Sequence, residues 1–182
     1  MDSFEELVGK LLSAEGWWIR QGFKVDLSKA EKREIGSPSM PRHEIDIIAY
    51  KPPQNELMWV ECKSFLDSPG VPLRPFIDET DKRGRDRYKM FVNSKLREIV
   101  SSALVRQLVA ANLILPNPKI TYALVAGKIK GNDEEELSNH FDSMGWKLYT
   151  PNNLVEMITS FADSGYADDL AMITAKILIR NS

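Results

Sequence analysis

Two short apolar runs constrain this chain more than anything else in it. Glu44-Ile45-Asp46-Ile47-Ile48-Ala49-Tyr50 and Leu57-Met58-Trp59-Val60-Glu61-Cys62-Lys63 flank the polar stretch Lys51-Pro52-Pro53-Gln54-Asn55. The runs have the β-branched and aromatic content of strands, and the stretch between them has the residues of a hairpin loop. A β-hairpin then puts Asp46 on one strand and Glu61 and Lys63 on the next. Side chains alternate faces along a strand, so Glu61 and Lys63 point the same way and Cys62 points the other. Trp59 and Val60 suggest a buried strand, and charges at the end of a buried strand call for more than solvation. Two acids and a lysine sharing one face near a sheet end are the makings of a metal-dependent hydrolytic site.

The rest of the chain supplies the frame. Ser3 with Glu6 has the spacing of a capping box, and Phe4, Leu7, Val8, Leu11, Leu12, Trp18 and Ile19 recur at helical spacing, which predicts a helix from Ser3 to Gln21 closed by Gly22. Glu5 lies at the flank of that apolar stripe and is better placed than Glu6 to reach a site at the core's edge. Phe23–Leu27 alternates as a strand, and 28–42 is a polar loop or ragged strand extension. A second helix is expected from Lys95 to Leu115, capped by Ser94, with Gln107 in the middle of its buried stripe. Ile120–Ala126 is a central strand. Asn132 caps a helix ending near Met144, and Trp146–Tyr149 is a short strand. Two helices follow, from Thr150 to about Phe161 and from Tyr166 to about Ile179. The expected fold is α/β: a mixed sheet flanked by helices in the order α-β-β-β-α-β-α-β, with extra C-terminal helices.

With 182 residues and 43% hydrophobic content the chain suits one domain spanning 1–182, with 64–93 as an insertion or mobile loop within it. The net charge of −2 means that any nucleic-acid grip must be local. The first local candidate is Lys82, Arg83, Arg85, Arg87 and Lys89, which form either an arm gripping a phosphate backbone or a solvated charged loop. One cysteine excludes an intrachain disulfide and fits a reducing compartment. No signal peptide or membrane-length apolar run is present, so the expected address is cytoplasmic, with no membrane partner.

Phosphodiester hydrolysis needs an activated water and charge stabilisation on the phosphate. Mg²⁺ takes hard oxygen ligands, often one or two carboxylates with waters and substrate oxygen. Asp46 and Glu61 could supply the carboxylates, the Cys62 backbone carbonyl a third oxygen, and Lys63 a hold on water or phosphate.

Asp46 followed across a hairpin by Glu61-Cys62-Lys63 resembles the PD-(D/E)xK nucleases, the restriction-endonuclease-like superfamily. Phe4-Glu5-Glu6-Leu7-Val8-Gly9-Lys10-Leu11-Leu12 with Gln21-Gly22-Phe23-Lys24-Val25 is similar to the opening of its Mrr-type and Holliday-junction-resolvase-type branches. Ile45 stands where the family usually has proline. The resemblance implies a restriction-endonuclease-like core and a DNA endonuclease in which Asp46 and Glu61 bind Mg²⁺, with Mn²⁺ as a substitute. It implies that Lys63 positions or activates water, that Glu5 joins from the first helix, and that Gln107 matches a helical glutamine of some branches. A duplex cut on both strands also makes a homodimer plausible. Other readings stand beside these. Glu61 and Lys63 alone could be a surface salt bridge, Gln107 a core amide bonded to backbone, and His43 an exposed or structural residue. The whole fold could be an inactive nucleic-acid-binding or interaction module, or a nuclease for RNA or branched junctions.

Overall fold

Five strands form one open sheet: β1 (Trp18–Val25), β2 (His43–Lys51), β3 (Glu56–Lys63), β4 (Lys119–Ala126) and β5 (Lys147–Tyr149), in the order β1-β2-β3-β4-β5. The computed structural model describes residues 2–163 and 169–180. The first three strands are antiparallel, and β3, β4 and β5 run parallel, so the sheet is mixed. The hairpin turn is a 3₁₀ turn over Pro52–Gln54, closed by Asn55 with φ of 46°. Asparagine tolerates this left-handed geometry, and its side-chain oxygen accepts a 2.9 Å hydrogen bond from the Tyr50 hydroxyl.

Helices cover both faces. Helix α1 (Ser3–Ala14) presents Val8, Leu11 and Leu12, all nearly inaccessible, to Ile47, Ala49, Met58, Val60 and Cys62. Burying such side chains contributes about 1.5–3 kcal/mol each. After β1 comes α2 (Lys29–Glu34), and after β3 the three single-turn helices α3 (Arg74–Ile77), α4 (Lys82–Arg85) and α5 (Lys89–Val92). The long crossover helix α6 (Ser94–Ala110) then packs Val100, Ala103 and Leu104 over Ile48, Tyr50, Leu57 and Trp59 on the other face. Helix α7 (Glu134–Ser143) joins that layer through Leu137 and Phe141. Helix α8 (Pro151–Asp163) joins the α1 layer through Leu154, and α9 (Leu170–Arg180) packs on α8. No helix among the described residues is long and apolar enough to cross a membrane.

Several elements differ from their sequence expectations. The first helix ends at Ala14, because Gly16 takes φ of +86° and lets Trp17 N–H return to the Leu12 carbonyl at 3.2 Å. Trp18 and Ile19 thereby pass into β1. The capping box uses Asp2 with Glu5 instead of Ser3 with Glu6: the Asp2 carboxylate accepts from the Phe4 and Glu5 amides at 2.9 Å each. Ser28 and Glu31 form a second capping box, so the stretch expected as a loop carries α2. Asn93, not Ser94, caps α6, and Asp133 rather than Asn132 is the cap residue of α7. The expected start of the last helix at Tyr166 lies outside the described residues.

The 64–93 stretch is the largest difference. It was expected as an insertion without regular structure, yet Phe76, Tyr88, Met90 and Phe91 are buried in the α6-side core, and Phe76 stacks edge-on to Phe91 and Phe141. Its first part is tied down as well. Val71 N–H donates to the Lys128 carbonyl and Lys130 N–H to the Val71 carbonyl, both at 2.9 Å, extending the sheet by one bridge. That approach depends on Gly70, where φ is +102° and an added Cβ would stand 2.7 Å from the Ile129 carbonyl carbon. Gly70→Ala is therefore expected to cost about 1–3 kcal/mol from backbone strain alone, with the clash added to it. Urea unfolding checks this; a variant as stable as wild type would mean that the 70–71 segment does not seat against 128–130.

Candidate active site

The site grows out of a fault in strand alternation. Ile45 and Ile47 are two residues apart and should share a face, yet Ile45 lies in the α6-side core and Ile47 in the α1-side core. The neighbouring strand does the same: Ile19 packs on the α1 side and Phe23 on the α6 side. Both changes of face occur at one level, Gly22 opposite Asp46, and Gly22 absorbs it with φ of +59°. Pairing between β2 and β3 also stops here, at Ile47 with Val60. Continuing that register would set Asp46 opposite Glu61.

Where the strands part, the Cys62 amide loses its strand partner. The Asp46 carboxylate takes its place, Oδ2 accepting from Cys62 N–H at 2.8 Å. Glu61 and Lys63 follow on the opposite face of β3 from Cys62, and Lys63 Nζ donates to Glu61 Oε1 at 2.5 Å. Both side chains keep only a fifth of their surface exposed, which leaves the pair less screened than a surface ion pair. The sheet brings Asp46, Glu61 and Lys63 together, with Cys62 between them in the chain.

Charge in this cluster is unbalanced. Burial, and then the negative charge of Glu61, push the Asp46 carboxyl up to about 6, against the opposing pull of Cys62 N–H and Lys63. Asp2 at the start of α1 pushes the same way. Burial alone would lower the Lys63 ammonium, but Glu61 outweighs it and holds the group above the usual lysine value. Lys63 is thus a cation at neutral pH, a donor and not a base. Burial raises the Cys62 thiol strongly, helped by Asp46, Glu5 and Glu61. That thiol faces α1 as an inert core group, and Cys62 serves the cluster through its backbone.

Glu5 flanks the cluster from α1, and its charge is felt at Cys62. Its Oε2 accepts from Asp2 N–H at 3.2 Å, and its carbonyl accepts from Gln21 Nε2 at 2.7 Å. Gln107 is committed elsewhere. Its Oε1 accepts from Asp26 N–H at 3.1 Å and its Nε2 donates to the Asp26 carbonyl at 2.8 Å, clamping the end of β1 to α6. His43 is structural: burial, with Lys89 nearby, lowers it to about 4, and the neutral ring meets Trp59 edge-on at 5.3 Å.

The five expected phosphate-binding cations do not form one arm. Arg85 braces the short helices, donating to the Pro75 and Val92 carbonyls at 3.1 Å each. Lys82 and Lys89 share a cleft with Arg85, whereas Arg83 and Arg87 line a different one beside Tyr88. Asp2, Tyr88 and Lys130 were not singled out by sequence reasoning. A cap-type residue one place ahead of Ser3 was a signal for Asp2. Nothing local marks Tyr88 or Lys130, which reach this region only through the fold.

The donor set suits a hard cation. Two carboxylates crowd each other, and one of them is protonated more readily than it would be alone, which is the state a divalent ion relieves. Among the described residues no three His, Cys, Asp or Glu side chains form a metal cage; a Mg²⁺ site built on two carboxylates, a carbonyl and waters does not require one. Comparison of the chain with protein-family models, curated proteins and solved structures finds no match.

The raised Asp46 carboxyl has a consequence for stability. The folded state holds that proton up to about pH 6, whereas the unfolded chain releases it in the ordinary carboxylate range. Stability therefore falls as pH rises through this window, and the cost is complete above it. Asp46→Asn, which can still accept from Cys62, is expected to be about 2 kcal/mol more stable than wild type in metal-free buffer at about pH 7.5. The advantage should vanish below about pH 4. Urea unfolding at both pH values checks it, and a pH-independent difference would mean that Asp46 is solvated.

Proposed function

We propose that this chain is a Mg²⁺-dependent DNA endonuclease of the PD-(D/E)xK, restriction-endonuclease-like kind. One observation carries the reading: Asp46 and Glu61 meet beside Lys63 where β2 parts from β3, at the electrostatic cost described above. Asp46, Glu61 and the Cys62 carbonyl would hold Mg²⁺, or Mn²⁺ in its place. The bound ion supplies a Lewis acid for the phosphodiester and makes water acidic enough to yield a nucleophile at neutral pH. Lys63, kept as an ammonium, donates to a phosphate oxygen or to the attacking water and so orients rather than deprotonates it. Glu5 adds negative charge from the α1 terminus, which favours the cation further. Gln107 is left with the task of holding β1. Lys82, Arg83, Arg87 and Lys89 supply local positive charge for a backbone that the chain as a whole would repel. Cutting both strands of a duplex takes two sites, for which a homodimer is the simplest arrangement.

Supercoiled plasmid incubated with Mg²⁺ or Mn²⁺ is expected to be nicked and linearised by wild type. Asp46→Ala and Lys63→Ala should each lose about a hundredfold or more of that activity. Cleavage that survives both substitutions would overturn the site. DNA retained in a shift assay with no cleavage by any form would leave a nucleic-acid-binding module in place of an enzyme. A readout independent of turnover is melting temperature: Mg²⁺ at about 100 times its dissociation constant should stabilise wild type by about 2.7 kcal/mol. It should leave Asp46→Asn nearly unchanged.

A further inference from the structure

A cleft of about 360 Å³ opens beside the carboxylate cluster, between the loop leaving β3, helix α4 and the turn after β4. Phe65, two residues beyond Lys63, forms part of its wall, and Pro72 and Pro75 continue the apolar side. Arg83, Arg87 and Lys130 line it too, all three exposed. Among the described residues none of the three has a side-chain hydrogen bond or ion-pair partner. Asp81, the acid in the lining, is already engaged, its Oδ1 accepting from Gly84 N–H at 3.0 Å. Tyr88 also lines the cleft. It is 1% exposed, and its hydroxyl has no hydrogen-bond partner among the described residues. Burying a hydroxyl with no partner costs about 1–3 kcal/mol, so the fold leaves a polar group here for something else to satisfy. Tyr88 is also near enough to Glu61 to feel its charge, which ties the cleft to the cluster.

Resting on the nuclease reading, we propose that this cleft takes one unpaired nucleotide of the substrate strand, next to the phosphate that is cut. Its phosphate lies among Arg83, Arg87 and Lys130, and its base lies against Phe65 and the proline wall. The volume is at the small end of ligand-holding clefts, which run from about 300 Å³ upward. It is therefore too small for a duplex and sized for a single unit. Three unpaired cations select a phosphate, and an aromatic ring with an apolar wall selects a base face. A base can enter such a cleft only when it is out of the helical stack. The substrate class that follows is DNA with an unpaired stretch, such as a flap, a frayed end or a branch, in preference to continuous duplex.

The test is binding by the full chain in chelator-treated buffer, where cleavage does not interfere. The probes are a labelled single strand, a blunt duplex of the same length, and that duplex carrying an unpaired flap. The flap and the single strand are expected to bind about tenfold more tightly than the blunt duplex, the factor for one good base contact of about 1.4 kcal/mol. Replacing Arg83, Arg87 and Lys130 together by alanine should lower the salt slope of single-strand binding by about two, from about 0.7 for each phosphate contact. Phe65→Ala should weaken flap binding and leave duplex binding unchanged. Lys130→Glu alone, on an exposed side chain, repeats the charge test without a multiple substitution. Equal affinity for flap and blunt duplex, or an unchanged salt slope, would overturn the cleft. Plasmid and flap cleavage are scored separately. Cleavage with an unchanged salt slope fails the cleft alone, whereas the expected binding pattern without any cleavage fails the nuclease reading and keeps the cleft's ligand.

Discussion

The hydrogen bond from Cys62 N–H to Asp46 Oδ2 is the contact on which the site end of the sheet depends. Two strands cannot separate inside a core without leaving backbone donors and acceptors unpaired, and each such group costs free energy unless something replaces the lost partner. Here a carboxylate replaces a strand. The bond is charge-assisted and stronger than the amide–carbonyl bond it stands in for. It allows β2 to turn away from β3 after Ile47 while β3 continues beside β4 to Lys63. Gly22 permits the matching turn in β1, since a side chain at φ of +59° would resist it. The opening between the strands, the exposure of Glu61 and Lys63, and the approach of the α1 terminus all follow from that one substitution of partner.

The same contact sets the electrostatic character of the region. Asp46 is drawn into a part-buried position by the amide it satisfies, and there it meets Glu61. Burial and like charge together hold its proton on to about pH 6. Lys63 offsets part of this but is itself bound to Glu61, so the cluster keeps an excess of negative charge. A fold selected for stability alone would place a neutral acceptor at position 46. Retaining an acid there is intelligible if the region is complete only with a cation.

Behind the cluster, the 64–93 segment shows how buried surface can be collected without long helices. Its three single turns place Phe76, Tyr88 and Phe91 against Phe141 and Trp146, and Arg85 ties two of the turns together through carbonyl oxygens. This packing spreads the basic residues. Arg85 becomes a brace, Arg83 and Arg87 turn toward Phe65, and Lys82 and Lys89 turn elsewhere. A run of charge in the sequence is thus divided among separate surfaces.

The amino-acid order by itself determined the hairpin, the alternation that places Glu61 and Lys63 apart from Cys62, the crossover helix, and the mixed α/β class. Each follows from local periodicity and turn chemistry, which act over a few residues. Local rules also held the signals that were misplaced by one step, such as Asp2 ahead of Ser3 and the Ser28–Glu31 box, where neighbouring residues competed for the same cap. Tertiary structure alone decided the rest. Gln107 was spent on Asp26, 81 residues away in the chain, because α6 happens to cross the end of β1. Asp46 turned toward Cys62 because β2 and β3 part at that level. Phe65, Tyr88, Arg83, Arg87 and Lys130 came to share a cleft because the 64–93 turns and the loop after β4 close on each other. Periodicity says which face a side chain leaves from; what it meets there is set by contacts between segments distant in sequence, and no local pattern encodes those.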